Sequence, residues 1–203
     1  NMTSLRKGIG NTKDIEDYYD KWSKTYDETL YKWEYKAPTQ TINILKRFLK
    51  REPKYLLDLA CGTGLFIEKF LKTYPKTICD GSDISKSILN EAKGIRKYRN
   101  LYKKSFEKKI NTPNKYNIVS LIGAMTYCKN HQILFDLVSN YLYENGYFIF
   151  TQRIDIWKDL EFDNILKSRS DFKFLYKSRP LNYLPKNKDF GKDIKIRIVL
   201  LKK

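Results

Sequence analysis

Residues 54 to 73 constrain this chain more than any other stretch. Lys54 to Ala60 is a short apolar run that closes on a glycine turn, Gly62-Thr63-Gly64. The next segment, Leu65 to Thr73, carries Phe66, Phe70 and Leu71 at helical spacing. Strand, glycine turn and helix in that order open an α/β sheet, where ligands bind beyond the carboxyl ends of the strands at the point where strand order reverses. Glycine suits such a turn because it lets the backbone bend sharply and approach a ligand closely. Packing alone also accounts for a GxG turn, so its ligand has to be read from the surroundings.

The alternation continues along the chain. Strand Thr77 to Gly81 leads into helix Ser85 to Ile95, strand Ile118 to Gly123 into helix His131 to Tyr143, and strand Tyr147 to Gln152 into a helix from about Asp155 to Ser168. This predicts a doubly wound, mostly parallel, Rossmann-like sheet with helices on both faces. Phe172 to Ser178 and Ile194 to Leu201 read as two strands with no helix between them, an antiparallel C-terminal pair closing the sheet edge. Upstream, Ile15, Tyr18, Tyr19, Trp22 and Tyr26 recur at helical spacing within residues 14 to 36. A second helix starts at Pro38, favourable in a first turn, and runs to Lys50. With no repeat, low-complexity tract or long linker, the 203 residues divide into an N-terminal helical lid segment, 1 to 50, and a core, 51 to 203, expected to pack as one domain.

Cys61, Cys79 and Cys128 form no CxxC pair, and His131 is the only histidine. Neither a disulfide framework nor a metal site is expected, and a reducing cytoplasm suits such a chain. No apolar run reaches the ~18 to 20 residues a bilayer span needs, so no membrane role is expected. The net charge of +17 suits a polyanion. Yet only 9 of the 40 basic residues are arginine, and they are spread along the whole length. A solvated basic surface is therefore the favoured reading over a nucleic-acid face.

A dinucleotide site wants G-x-G-x-x-G, with the third glycine packed beside a pyrophosphate. Counted from Gly62 that position is Ile67, and the fingerprint fails. What remains is D-x-A-x-G-x-G: Asp58 at the strand end, then Ala60, Cys61, Gly62 and Gly64. Asp83 lies 19 residues after Gly64, within Gly81-Ser82-Asp83-Ile84-Ser85. A carboxylate there can accept hydrogen bonds from both ribose hydroxyls of an adenosine. The competing role is to cap the following helix, which this reading assigns to Ser85. Asp80 is the rival carboxylate and would point to the other face of its strand.

This pattern resembles motif I of the class I methyltransferases that use S-adenosylmethionine, and the resemblance covers nearly the whole chain. Tyr19-Asp20-Lys21-Trp22-Ser23-Lys24-Thr25-Tyr26-Asp27, Tyr35-Lys36-Ala37-Pro38 and Leu57 to Leu65 carry its first half. Asp80-Gly81-Ser82-Asp83, Ile122-Gly123-Ala124-Met125 and Phe150-Thr151-Gln152-Arg153 carry its second. Together they are similar to the Williams-Beuren-region methyltransferase-like proteins. The resemblance implies S-adenosylmethionine as cofactor, with the Gly62 and Gly64 backbone against its amino-acid part and sulfonium. Ile84 and Gly123 would join the same site, Tyr26 would close over it, and Ser105 and Phe106 would lie at the adenine after the third strand. The sequence departs from its relatives at Tyr116-Asn117-Ile118-Val119, where Asn117 stands in place of an aspartate.

Methyl transfer from a sulfonium is an in-line displacement, so a catalyst has mainly to hold the acceptor close and aligned in a dry pocket. A base is needed only where the attacking atom must lose a proton. His131, after the fourth strand, and Tyr127 are the candidates, and Arg153, past the fifth strand, would pair with an anionic substrate. The chain has no [DN]-PP-[YF] motif for amino groups on bases and no PC or TC dipeptide for attack on cytosine carbon. It also lacks substrate-binding insertions. A small-molecule acceptor is therefore expected, with Tyr18, Trp22, Tyr26, Tyr31 and Trp33 available to line its pocket. An RNA- or protein-directed methyltransferase and a cofactor-binding protein without catalysis are the alternatives.

Overall fold

Consecutive residues of a strand face opposite sides of a sheet, and in β1 (Tyr55–Leu59) both sides are buried. Leu57 and Leu59 belong to one apolar core and Leu56 to another. A strand apolar on both faces needs helices above and below it and belongs in the middle of a parallel sheet. The computed structural model, which describes residues 12–22, 25–32, 35–183 and 194–203, has that arrangement.

One edge is β3 (Asn100–Lys103), followed across the sheet by β2 (Ile78–Asp83), β1, β4 (Tyr116–Leu121) and β5 (Leu142–Arg153), all parallel. β8 (Lys195–Lys202) then runs antiparallel between β5 and the outer strand β6 (Lys173–Lys177), and the short β7 (Leu181–Asn182) also pairs with it. The expected fold class is what is found. On one face, Leu45 of α3 (Ala37–Phe48) and Phe66, Ile67 and Phe70 of α4 (Leu65–Thr73) cover Leu56, Ile118 and Ile149. On the other, Phe135 of α6 (His131–Tyr141), Trp157 of α7 (Ile154–Asp159) and Phe162 of α8 (Phe162–Lys167) pack on Val119, Phe148 and Phe150. The Phe135 ring meets Phe148 and Phe150 edge-on at 5.8 and 6.3 Å, the favoured geometry for aromatic pairs.

Several expectations need correcting. The single helix foreseen from Asp155 to Ser168 is two short helices, broken where Glu161 takes a left-handed φ of 48°. Trp157, Phe162 and Ile165 all face the same core, so their apolar spacing hides the break. β3 could not be placed from the sequence because none of its residues is fully buried and no apolar alternation marks it. β2 runs on to Asp83, which is thus the last residue of the strand. Residues 14 to 36 hold two helices, α1 (Thr12–Trp22) and α2 (Tyr26–Lys32).

Candidate active site

Strand order reverses between β1 and β4, and the chain leaves both strands in left-handed backbone: φ is 57° at Gly62, 89° at Gly64 and 82° at Gly123. Ala60, where a β-carbon makes that region costly, also sits at φ 50°. The turn is tied to β2 by Cys61 N–H donating to the Ser82 carbonyl at 2.8 Å and Gly62 N–H donating to Asp83 Oδ2 at 3.0 Å.

Asp83 is buried, and its Oδ1 accepts from the Ser85 N–H at 3.0 Å. Ser85 Oγ in turn accepts from Ile88 N–H at 3.3 Å, so Ser85 caps α5 (Lys86–Ile95) and the capping role does not fall to Asp83. Burial pushes the Asp83 carboxyl up, against the backbone N–H groups of Ser85, Gly62 and Ile84, and Asp20 adds to the rise. A carboxylate has about four acceptor sites, so with three backbone N–H groups on it Asp83 keeps capacity for about one further donor. Asp80 is saturated: it accepts from Arg99 Nε and Nη2 at 3.0 and 2.7 Å, Asn100 N–H at 3.0 Å and Tyr116 Oη at 2.5 Å. Burial alone would raise its pKa, and the Arg99 and Tyr116 bonds outweigh that and hold it low.

Asp58 lies at the foot of the crevice, 2% exposed, accepting from Ser120 Oγ at 2.7 Å and Tyr98 Oη at 3.2 Å. Burial pushes its pKa up to about 7, against those two hydrogen bonds. With Tyr35, Pro38, Ala60, Cys61, Thr63 and Ile122 it lines a solvent-open cleft of about 320 Å³. A second cleft, of about 200 Å³, is lined by Gly123, Met125, Thr126, Thr151, Arg153 and Tyr183. Thr151 Oγ1 accepts from Gly123 N–H at 2.8 Å and fixes the strand end there. Arg153 is buried and holds Asp155 through Nε at 3.1 Å and Nη2 at 2.6 Å. Tyr127, in a single tight turn after β4, packs against the α6-side core.

Other expected residues are placed as follows. Ser105 Oγ accepts from Glu107 N–H at 3.2 Å, and Phe106 packs on the α6-side core just past β3. His131 meets the Phe162 ring edge-on at 5.4 Å, its Nε2 has no hydrogen-bond partner, and it lines neither cleft. Burial lowers its pKa, and Glu107 partly opposes this. Tyr18 is half-buried on α1, whereas the side chains of Trp22 and Tyr26, and all of Trp33, lie outside the described residues. Tyr31 is 87% exposed and borders a larger, more open groove beside Asp27 and Glu28.

Sequence reasoning missed the clamp between the N-terminal helices and this crevice. Asp27 accepts from Thr63 Oγ1 and pairs with Arg96 Nη2 at 2.8 Å. Arg96 Nε also donates to the Gly64 carbonyl at 3.2 Å. Asp20 accepts from Ser85 Oγ and, at 2.9 Å, from Ser87 Oγ, while Glu16 pairs with Lys103 at 2.9 Å. The Tyr-Asp doublet at 26 and 27 was the available signal. Arg96, Tyr98 and Tyr183 belong to no local motif.

Among the described residues no group of histidine, cysteine and acidic side chains is arranged to hold a metal, and no helix is long and apolar enough to cross a membrane. Residues 33–176 match the methyltransferase domain family. Malonyl-[acyl-carrier protein] O-methyltransferase 2 of Ilyobacter polytropus is 28% identical over 142 residues, 68% of this chain and 53% of that protein. Human methyltransferase-like protein 27 is 30% identical over 96 residues, 46% of this chain and 39% of that one. The chain thus spans about half or less of the curated relatives it matches. Among solved structures, the plantazolicin methyltransferase BpumL bound to a triazolic desmethylPZN analog and SAH aligns with TM-score 0.66 at 15% identity, over 94% of this chain and 92% of that one. The N-methyltransferase NodS of Bradyrhizobium japonicum aligns with TM-score 0.64 at 12% identity, over 84% and 96%. The chain belongs to the methyltransferase domain family and is a class I, S-adenosylmethionine-dependent methyltransferase domain.

Proposed function

We propose that this domain methylates an oxygen, nitrogen or sulfur of a small molecule held beside Gly123, Thr126, Arg153 and Tyr183. The observation that carries the reading is the pair of clefts flanking the end of β4, one lined by Asp58 and the glycine turn, the other closed in by Thr126, Arg153 and Tyr183. The first fits the cofactor. Asp83 keeps acceptor capacity for a ribose hydroxyl, and a positively charged ligand beside the buried Asp58 would favour its ionised form. Ser105 and Phe106 border the adenine end. The second is a narrow recess between Thr126, Arg153 and Tyr183, which favours a small acceptor group over a broad macromolecular face.

S-adenosylmethionine supplies the electrophilic methyl; the residues of this chain bind, align and exclude water. In this reading Arg153 holds the polar end of the acceptor and Tyr127 handles its proton, while α1, which carries Tyr18 and is tied to α5 and β3, covers the cofactor side. His131, packed on Phe162, serves as the first residue of α6. α1 and α2 serve as the lid over the cofactor, whereas α3, expected within the same lid segment, packs into the core through Leu45. The finer kinship with the Williams-Beuren-region methyltransferase-like proteins rests on the motifs quoted above, and the scattered thiols favour a cytoplasmic setting.

The test is to incubate the protein with methyl-labelled cofactor and a cell extract, then separate small molecules from RNA and protein. Label in the small-molecule fraction supports the reading. Label in RNA or protein moves the acceptor to a macromolecule, and no label anywhere points to cofactor binding without catalysis.

A further inference from the structure

A methyl group has to pass from the cofactor cleft to the acceptor cleft, and both border the end of β4: Ile122 lines the first and Gly123 the second. Two phenols from opposite ends of the chain meet over that point. Tyr35, just before α3, lines the cofactor cleft, and Tyr183, just past β7, lines the acceptor cleft. Their rings stand edge to face at 5.7 Å. A β-carbon built on Gly123 would lie 2.7 Å from Tyr35 Oη and 3.2 Å from Tyr183 Oη. Both hydroxyl oxygens are therefore in contact range of the Gly123 backbone. Burial raises the Tyr183 pKa, with Tyr127 adding to the rise and Arg153 opposing it, so its hydroxyl stays protonated.

We infer that Tyr35 and Tyr183 recognise the sulfonium methyl of S-adenosylmethionine and hold it at Gly123 in line with the acceptor. The inference rests on the cofactor reading above. Methyl hydrogens on a sulfonium are polarised, and a phenol oxygen has two lone pairs, so it accepts weak C–H···O contacts whatever its own proton is bonded to. No such contact exists for the demethylated product, which has no methyl and no charge at sulfur. The pair thus gives the site a preference for the cofactor over its product, the preference that clears a site after turnover. Gly123 is needed because any side chain there would occupy the space of the Tyr35 hydroxyl.

The experiment is calorimetric titration of wild type, Tyr35→Phe and Tyr183→Phe with S-adenosylmethionine and, separately, S-adenosylhomocysteine. Each variant is expected to weaken S-adenosylmethionine binding about two- to fivefold, the worth of one such contact, with S-adenosylhomocysteine within twofold of wild type. The product also serves as the folding control, and either variant alone decides the matter if the other does not fold. Equal weakening of both ligands, or no change in either, overturns the inference and leaves the cofactor reading standing. Wild-type protein that binds neither ligand removes both.

Discussion

Asp83 holds the glycine turn, and the ribose contact proposed for it can be tested separately. Its oxygens hold the Gly62 and Ser85 amides, so Asp83→Ala should lower the melting temperature as well as cofactor affinity. The ribose contact is isolated by comparing adenosine with 2′-deoxyadenosine. Wild type should prefer adenosine by about tenfold or more, the worth of a hydrogen bond to a charged acceptor, and the variant should show no preference. An unchanged preference would move the ribose elsewhere. Asp58 makes a pH prediction. Its folded pKa of about 7 lies above the unfolded value near ~3.9. Its contribution to stability is therefore full below ~3.9, falls as pH rises, and is lost above about 7. Thermal melts from pH 4 to 8 should show a shallower decline in Asp58→Asn than in wild type; parallel curves would mean that Asp58 ionises freely in the fold. These roles were half legible. The spacing of Asp58, Gly62, Gly64 and Asp83 picked out the crevice, because short-range spacing fixes what lies at the ends of adjacent strands. Tyr98 and Ser120, which bond Asp58, come from 40 and 62 residues away in sequence, and no local pattern announces such a contact.

At the scale of elements, the strands and helices around the glycine turn were readable because their apolar periodicity is strong. The break at Glu161, the edge strand β3 and the hairpin strand β7 were not, since each depends on backbone conformation or pairing that side-chain pattern does not encode. The N-terminal helices are held to the core by polar ties at Glu16, Asp20 and Asp27, and Ile15 and Leu30 are their buried apolar anchors. Short helices tied down through a few part-buried polar contacts can open at lower cost than the core. Amide hydrogen exchange should therefore slow across residues 12 to 32 when S-adenosylhomocysteine is added, together with Gly62 and Asp83. Asp27→Ala should weaken that ligand about two- to fivefold and abolish the added protection over α2. Equal protection with and without ligand would make these helices a fixed part of the core.

At the scale of the whole molecule, the charge of +17 is distributed along the length, and the two clefts are lined by apolar and hydroxyl side chains with Asp58 as their one carboxylate and Arg153 as their one cation among the described residues. A basic surface of this kind should bind RNA weakly and without effect on the cofactor site. RNA added at 200 mM salt should leave S-adenosylhomocysteine affinity unchanged; tight RNA binding that collapses steeply between 50 and 200 mM would signal a phosphate-contacting face. The central claim is the identity of the cofactor, and calorimetry with S-adenosylmethionine, S-adenosylhomocysteine and NAD tests it most directly. Ile67 stands where a pyrophosphate site needs glycine, and Asp83 is the carboxylate proposed to accept from a ribose. The account predicts saturable binding of both methyl-cycle ligands and none of NAD; micromolar binding of NAD with no signal from either of the others would contradict it.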